Sequence, residues 1–178
     1  MSTRLKVLAW NLNHRTSEKA IPSAVAELLS RLDVDVALFN EFVDGPTRGA
    51  FRDQLSELGY VHQHVSVGPA GCNLVFAASR VSISAGDLAP PAMDEWAIAG
   101  CLHIRVDGTE IEIMGLRVPA YEPAMDQRVY REQLNAVLCS LEGRNAVVAG
   151  DFNENPFELA GDPWAPTTRF HGAPMFTV

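Results

Sequence analysis

Four short apolar runs in this 178-residue chain end abruptly in residues that carry chemistry: Trp10-Asn11, Phe39-Asn40-Glu41, Gly115-Leu116-Arg117 and Ala149-Gly150-Asp151-Phe152-Asn153. Strand ends are held by the core yet face a cleft, so sites are often built there. Asp151 and Asn153 are two apart, and an extended backbone would put both side chains on one face. If the ends converge, Asn11, Glu41, Arg117, Asp151 and Asn153 offer two carboxylates, two carboxamides and one guanidinium. That set is rich in oxygen and free of sulfur, which suits a hard cation such as Mg²⁺ or Mn²⁺. A bound Mg²⁺ would polarise a phosphoryl oxygen while Asp151 takes a proton from a water held by Asn153. Hydrolysis of a phosphodiester or phosphomonoester is the reaction such a set performs.

The elements that must position these residues follow from hydrophobic spacing. Leu5 to Trp10 and Val34 to Phe39 suit buried strands. Val25, Leu28, Leu29 and Leu32 form one helical face after Pro22 and Ser23, predicting a helix over about Ser23 to Leu32. Phe51, Leu55 and Leu58 suggest a short helix stopped by Gly59. From Tyr60 to Arg117 the pattern is β-like: Val61 to Val67, Leu74 to Ala78, Val81 to Ser84, Ile98 to Val106 and Glu110 to Leu116. Asp107-Gly108 marks a tight turn between the last two. Tyr130, Leu134, Val137, Leu138 and Leu141 repeat at helical spacing, and Ala146 to Ala149 makes a final buried strand. Strands and helices in this order predict an α/β or α+β sandwich of sheets with outer helices.

Composition narrows the function. Hydrophobic residues make up 47% and charged residues 20%, which excludes extended disorder and predicts a single domain over residues 1–178. The net charge of -8 argues against a surface built chiefly to grip nucleic-acid backbones, so any phosphate chemistry is local. Cys72, Cys101 and Cys139 suggest neither a disulfide framework nor a zinc ribbon, and the easiest compartment is the cytoplasm. No stretch is long and apolar enough for a membrane span, so no membrane partner is expected.

Leu5 to Asn11, Asn40-Glu41, Gly115-Leu116-Arg117-Val118-Pro119 and Gly150-Asp151-Phe152-Asn153, in this order, resemble the motifs of the endonuclease/exonuclease/phosphatase superfamily. The resemblance covers about Leu5 to Pro156. It implies a four-layer α-β-β-α sandwich of two mixed sheets and a phosphate-ester substrate, either nucleic acid or a small molecule. It also implies Mg²⁺, with Mn²⁺ as a substitute, held by Glu41 with help from Asn11. Asp151 would orient or deprotonate the nucleophile, and Asn153 would position it or the phosphate.

Two departures stand beside the match. Arg117 occupies the place of a family His or Tyr; it can stabilise phosphoryl charge bidentately but cannot exchange protons near neutral pH. No Asp-His dipeptide exists in the chain, although the family closes on one, and His171 follows Phe170 instead. The resemblance therefore implies a domain shortened at its carboxyl end, and an alternative role as a non-catalytic binding module.

Plainer roles are available to single residues. Asn11 alone reads as a turn residue, Glu41 as a solvated carboxylate, and Arg117 as a surface partner of Glu112 or Glu122. His14, His62, His64 and His103 share no metal spacing with carboxylates, Cys139 reads as a core filler, and Gly68-Pro69-Ala70-Gly71 as a turn. Trp96, Trp164 and Phe157 read as buried rather than as a base-stacking platform, and Arg128, Arg131 and Arg144 as the nearest thing to a basic cluster.

Overall fold

The structure, a computed structural model, describes residues 4–13, 20–91, 98–119 and 127–153. His14, Trp96, Glu122, Phe157, Trp164, His171 and the side chain of Arg128 lie outside the described residues. The elements run β1 (Val7–Asn11), α1 (Ser23–Leu32), β2 (Val36–Phe42), α2 (Arg48–Glu57), β3 (His62–Val65), β4 (Leu74–Ser79) and β5 (Ile83–Ala85). They continue with β6 (Cys101–Val106), β7 (Ile111–Arg117), α3 (Gln127–Cys139) and β8 (Asn145–Asp151).

The strands form two mixed four-stranded sheets, ordered β1-β2-β4-β3 and β5-β6-β7-β8. In the first sheet β1 runs parallel to β2, and in the second β7 runs parallel to β8, with antiparallel pairs elsewhere. Each parallel pair is joined through a helix, α1 or α3, because parallel neighbours need a crossover. The turn expected at Asp107-Gly108 is present: Thr109 N–H bonds Val106 O and Gly108 takes a φ of 73°. Gly71 serves the turn at Pro69 to Cys72 in the same way.

Period-two alternation divides each strand between layers. Val36, Leu38, Val75, Ala77, Ile104 and Ile113 fill the space between the sheets. Ala37, Phe39, Phe42, Phe76 and Ala78 pack outward with Val25, Ala26 and Leu29 of α1 and Phe51 and Leu55 of α2. Met114 and Leu116 pack outward on the other side, against Tyr130, Leu134 and Leu138 of α3. Three apolar interlayers thus stack helices, sheet, sheet and helix, the four-layer α+β sandwich expected from the resemblance. The outer aromatic contacts are close, with Phe42 and Phe76 stacked at 4.6 Å and Phe39 edge-on to Phe51 at 5.5 Å. Tyr60 OH donates to Val34 O at 2.8 Å and anchors the start of β2.

Several boundaries differ from expectation, each for a physical reason. β6 starts at Cys101, because residues 98–99 are helical. Cys139 is exposed: it follows Leu138 by one residue, so it sits about 100° off the face that α3 buries. β2 continues past Phe39 to Phe42, so Asn40 and Glu41 lie within the strand and not beyond it. Among the described residues no helix is long and apolar enough to cross a membrane.

Ile104 is fully buried between the sheets. Ile104→Ala should lower the unfolding free energy by about 2–5 kcal/mol in chemical denaturation, whereas Val61→Ala, at an exposed position, should change it by about 0.5 kcal/mol or less.

Candidate active site

The five residues singled out in the sequence meet at one end of the sandwich, where β1, β2, β7 and β8 all terminate. Parallel pairing aligns these ends: Asn11 is the cross-strand partner of Asn40, and Arg117 of Asp151. The inward-facing positions are apolar up to the last residue. Val7 in β1, Val36 and Leu38 in β2, Ile111 and Ile113 in β7 and Ala149 in β8 line the inter-sheet space. Further along the same rows, two residues beyond Leu38 and Ala149 and four beyond Val7 and Ile113, come Asn40, Asp151, Asn11 and Arg117. The core ends and the site begins on the same faces.

A β-bulge places Glu41. The β2–β4 register shifts between Phe39 and Phe42, and both phenylalanines face the helical layer although they are three apart. The inserted residue lets Asn40 and Glu41 face the other sheet together, at the cost of a left-handed Glu41 with φ of 56°. Glu41 is buried, and its Oε1 lies 3.6 Å from Arg117 Nε. The Arg117 guanidinium therefore pairs with Glu41 across the sheets, not with Glu112, whose Oε2 belongs to Arg144 and His103.

Asn11 joins the sheets a second time. Its Nδ2 donates to Asp151 Oδ2 at 2.6 Å, while its Oδ1 accepts the Asn13 N–H at 2.6 Å. The other Asp151 oxygen, Oδ1, accepts the Asn153 N–H at 3.1 Å, an Asx turn that is followed by a left-handed Asn153 (φ 48°). The extended geometry expected for Asp151 to Asn153 is thus replaced by a turn, which folds Asn153 back until its Nδ2 holds Val118 O at 2.6 Å. Gly150 permits the close approach: a Cβ there would lie 1.9 Å from Leu116 O, and its φ is 151°.

Asn40 is the residue that the reading by type and spacing left out of the site. Its side chain is 1% exposed, and its amide, oriented to suit its neighbours, donates to Leu116 O and accepts from Asp151 N–H, both at 3.0 Å. The signal was available in the strand alternation, since Asn40 shares its face with Val36 and Leu38.

A second polar cluster lies on the outer face of the second sheet. Asp87, His103 and Glu112 bring ligand atoms within 4.8 Å of one another. Arg105 lies 2.6 Å from Asp87, and Arg144 lies 3.2 Å from Asp87 and 3.0 Å from Glu112, so guanidinium groups already supply the positive charge. His103 accepts the Leu88 N–H at Nδ1 and meets Glu112 through Nε2, which defines a neutral ring. Burial lowers the His103 pKa below 6.5 although Glu112 and Asp87 oppose this. Burial disfavours the charge on Glu112 as well, but Arg144 and His103 together hold its carboxyl below the ordinary range. The cluster is an ion-pair network. Neither Cys72, which is buried, nor the half-buried Cys101 offers a nucleophile, since desolvation raises Cys72 and pushes Cys101 up to about 12.

Two mixed sheets between helices, with carboxylates and amides converging at one end, define a four-layer α+β sandwich with a polar cleft at its strand ends. The chain belongs to the Endonuclease/Exonuclease/phosphatase family, whose model matches residues 8–177. No curated protein matches. Among solved structures it is similar to an AP endonuclease from Archaeoglobus fulgidus, with 21% identity and a TM-score of 0.63 over 88% of this chain and 60% of that one. It is also similar to ANGEL2, a 2',3'-cyclic phosphatase, with 17% identity and a TM-score of 0.58 over 92% of this chain and 56% of that one. A third is D. rerio TDP2 complexed with a single-strand DNA product, with 16% identity and a TM-score of 0.57 over 88% and 63%. The chain therefore spans little more than half the length of these structures.

The neutral His103 makes stability depend on pH with a definite sign. A histidine whose folded pKa is lowered contributes fully above its unfolded value of about 6.5, and the contribution is lost as pH falls below it. Thermal melts should show stability falling from pH 7 to pH 5, and His103→Gln should flatten that slope. Gly150→Ala should lower the melting temperature by forcing β8 away from Leu116; an unchanged melt would show that the strand end yields freely.

Proposed function

We propose that the chain is a divalent-metal-dependent phosphoesterase that uses Mg²⁺, with Mn²⁺ as a substitute, to hydrolyse a phosphodiester or phosphomonoester. The supporting observation is the Asn11–Asp151 hydrogen bond of 2.6 Å, which ties the ends of β1 and β8 beside the Glu41–Arg117 pair. The donor set fits a hard cation: Glu41 offers carboxylate oxygens, Asn11 an amide oxygen, and no sulfur intrudes. Bound Mg²⁺ supplies charge that polarises a phosphoryl oxygen.

The chain's own groups do the rest. Asp151, fixed by Asn11 and by the Asn153 N–H, takes a proton from the attacking water. Asn153 has one amide hydrogen on Val118, leaving its oxygen and second hydrogen to align that water or a phosphate oxygen. Arg117, half of an ion pair in the resting site, stabilises charge as it develops on the phosphoryl group.

The similar structures include an AP endonuclease, a TDP2 complexed with a single-strand DNA product and a 2',3'-cyclic phosphatase, which supports a phosphate ester, nucleic acid or small molecule, as the substrate. A net charge of -8 favours the small ester, or a nucleic acid gripped only near the scissile bond. Three free thiols are consistent with action in a reducing cytoplasm.

A second reading is favoured by the same ion pair. With Arg117 already 3.6 Å from Glu41 and no Asp-His dipeptide in the sequence, the chain would bind phosphate esters without turning them over. Hydrolysis of bis-p-nitrophenyl phosphate with Mg²⁺ separates the two. The enzyme reading requires turnover that falls by about 10²–10⁴-fold in Asp151→Asn, and an inactive wild-type chain would leave the binding module. Glu41→Gln should weaken Mg²⁺ binding in calorimetry by at least roughly tenfold, and unchanged affinity would remove Glu41 as a ligand.

A further inference from the structure

We propose that Asn40 is a positioning residue that locks the metal-ligand strand to the strand bearing the proton acceptor; the inference rests on the phosphoesterase reading of the site. Asn40 stands beside Glu41 in β2, and both face the second sheet because of the bulge. From there its amide reaches two backbone groups of that sheet: Leu116 O, just before Arg117, and the N–H of Asp151. One buried side chain therefore touches the immediate supports of three site residues, Glu41, Arg117 and Asp151.

The chemistry of the contact explains why an amide is needed. Leu116 O is an acceptor and Asp151 N–H is a donor, so the bridging group must donate at one atom and accept at another. Among short side chains a carboxamide does both without charge. The bridge is 1% exposed, where water cannot substitute for a lost partner. The second anchor, Asn11 to the Asp151 carboxylate, is solvent-exposed and fixes the side chain instead of the backbone. Asn40 thus sets where the Asp151 backbone sits, and Asn11 sets where its carboxylate points. Without Asn40, the sheets remain packed through Leu38, Val75 and Ile113, but the two halves of the site lose the buried amide bridge to the backbone of β7 and β8.

The test compares Asn40→Ala, Asn40→Gln and Tyr60→Phe in the full chain. Tyr60→Phe removes a buried hydrogen bond at the opposite end of β2 and serves as a control for stability alone. Three quantities are read: kcat and KM for bis-p-nitrophenyl phosphate with Mg²⁺, thermal unfolding, and hydrogen exchange of the Asp151 amide without metal. In Asn40→Ala, kcat should fall at least tenfold with KM within twofold, and Asp151 amide protection should fall at least tenfold. Asn40→Gln, which keeps donor and acceptor, should recover much of both, and Tyr60→Phe should change neither. An active wild type with Asn40→Ala inside threefold in kcat, or a loss matched by Tyr60→Phe, overturns the proposal while leaving the enzyme reading intact. If the wild type is inactive, the enzyme reading fails, and unchanged Asp151 protection in Asn40→Ala overturns the link as well.

Discussion

The packing of the two sheets through their inner faces governs where every functional group lies. Branched and small residues, among them Val36, Leu38, Val75, Ala77, Ile104 and Ile113, hold the sheets in one orientation, and the polar residues of the site follow at the strand ends. Gly115 tightens it, since a Cβ at that position would come within 2.8 Å of Val75 Cγ1. Because both parallel pairs terminate at the same level, Asn11 and Asn40 on one sheet face Arg117 and Asp151 on the other. The site is the polar continuation of an apolar interlayer, and its geometry is as rigid as that packing.

Within this frame the polar contacts divide into two kinds. Backbone-directed ones, from Asn40 and from Asn153 to Val118, fix the ends of β7 and β8. Side-chain-directed ones, from Asn11 to Asp151 and from Arg117 to Glu41, set charge and orientation. Charges in such a low-dielectric edge interact more strongly than on an open surface, so each must be offset locally. In a chain of net charge -8 that local offset is visible at the strand ends, where the Arg117 guanidinium is set against Glu41.

Much of this was legible in the residues. The helix over Ser23 to Leu32 was readable because its apolar face and its proline start coincide. The Asp107-Gly108 turn was equally plain. Polar termini on four apolar runs pointed to Asn11, Glu41, Arg117, Asp151 and Asn153, and the structure brings all five together. The bulge was not legible, since nothing in Phe39-Asn40-Glu41-Phe42 announces that the strand continues through a left-handed glutamate. The Asx turn at Asp151 to Asn153 is an ordinary use of such residues after a strand, but its contact with Val118, formed only when β7 and β8 pair, was not legible. Cys139 was misplaced for a simpler reason, as one helical step separates the buried face from solvent.

The left-handed glutamate at position 41 has an evolutionary side. A glutamate pays about 1–3 kcal/mol to hold a backbone that glycine adopts freely, so selection for folding stability alone would remove it. Replacement by glycine would relax the bulge and leave the sandwich more robust, yet it would strip the cleft of its buried carboxylate. On the proposed phosphoesterase reading the residue marks a trade between durability and activity, and a lineage without that chemistry would be free to drift towards the more stable sequence.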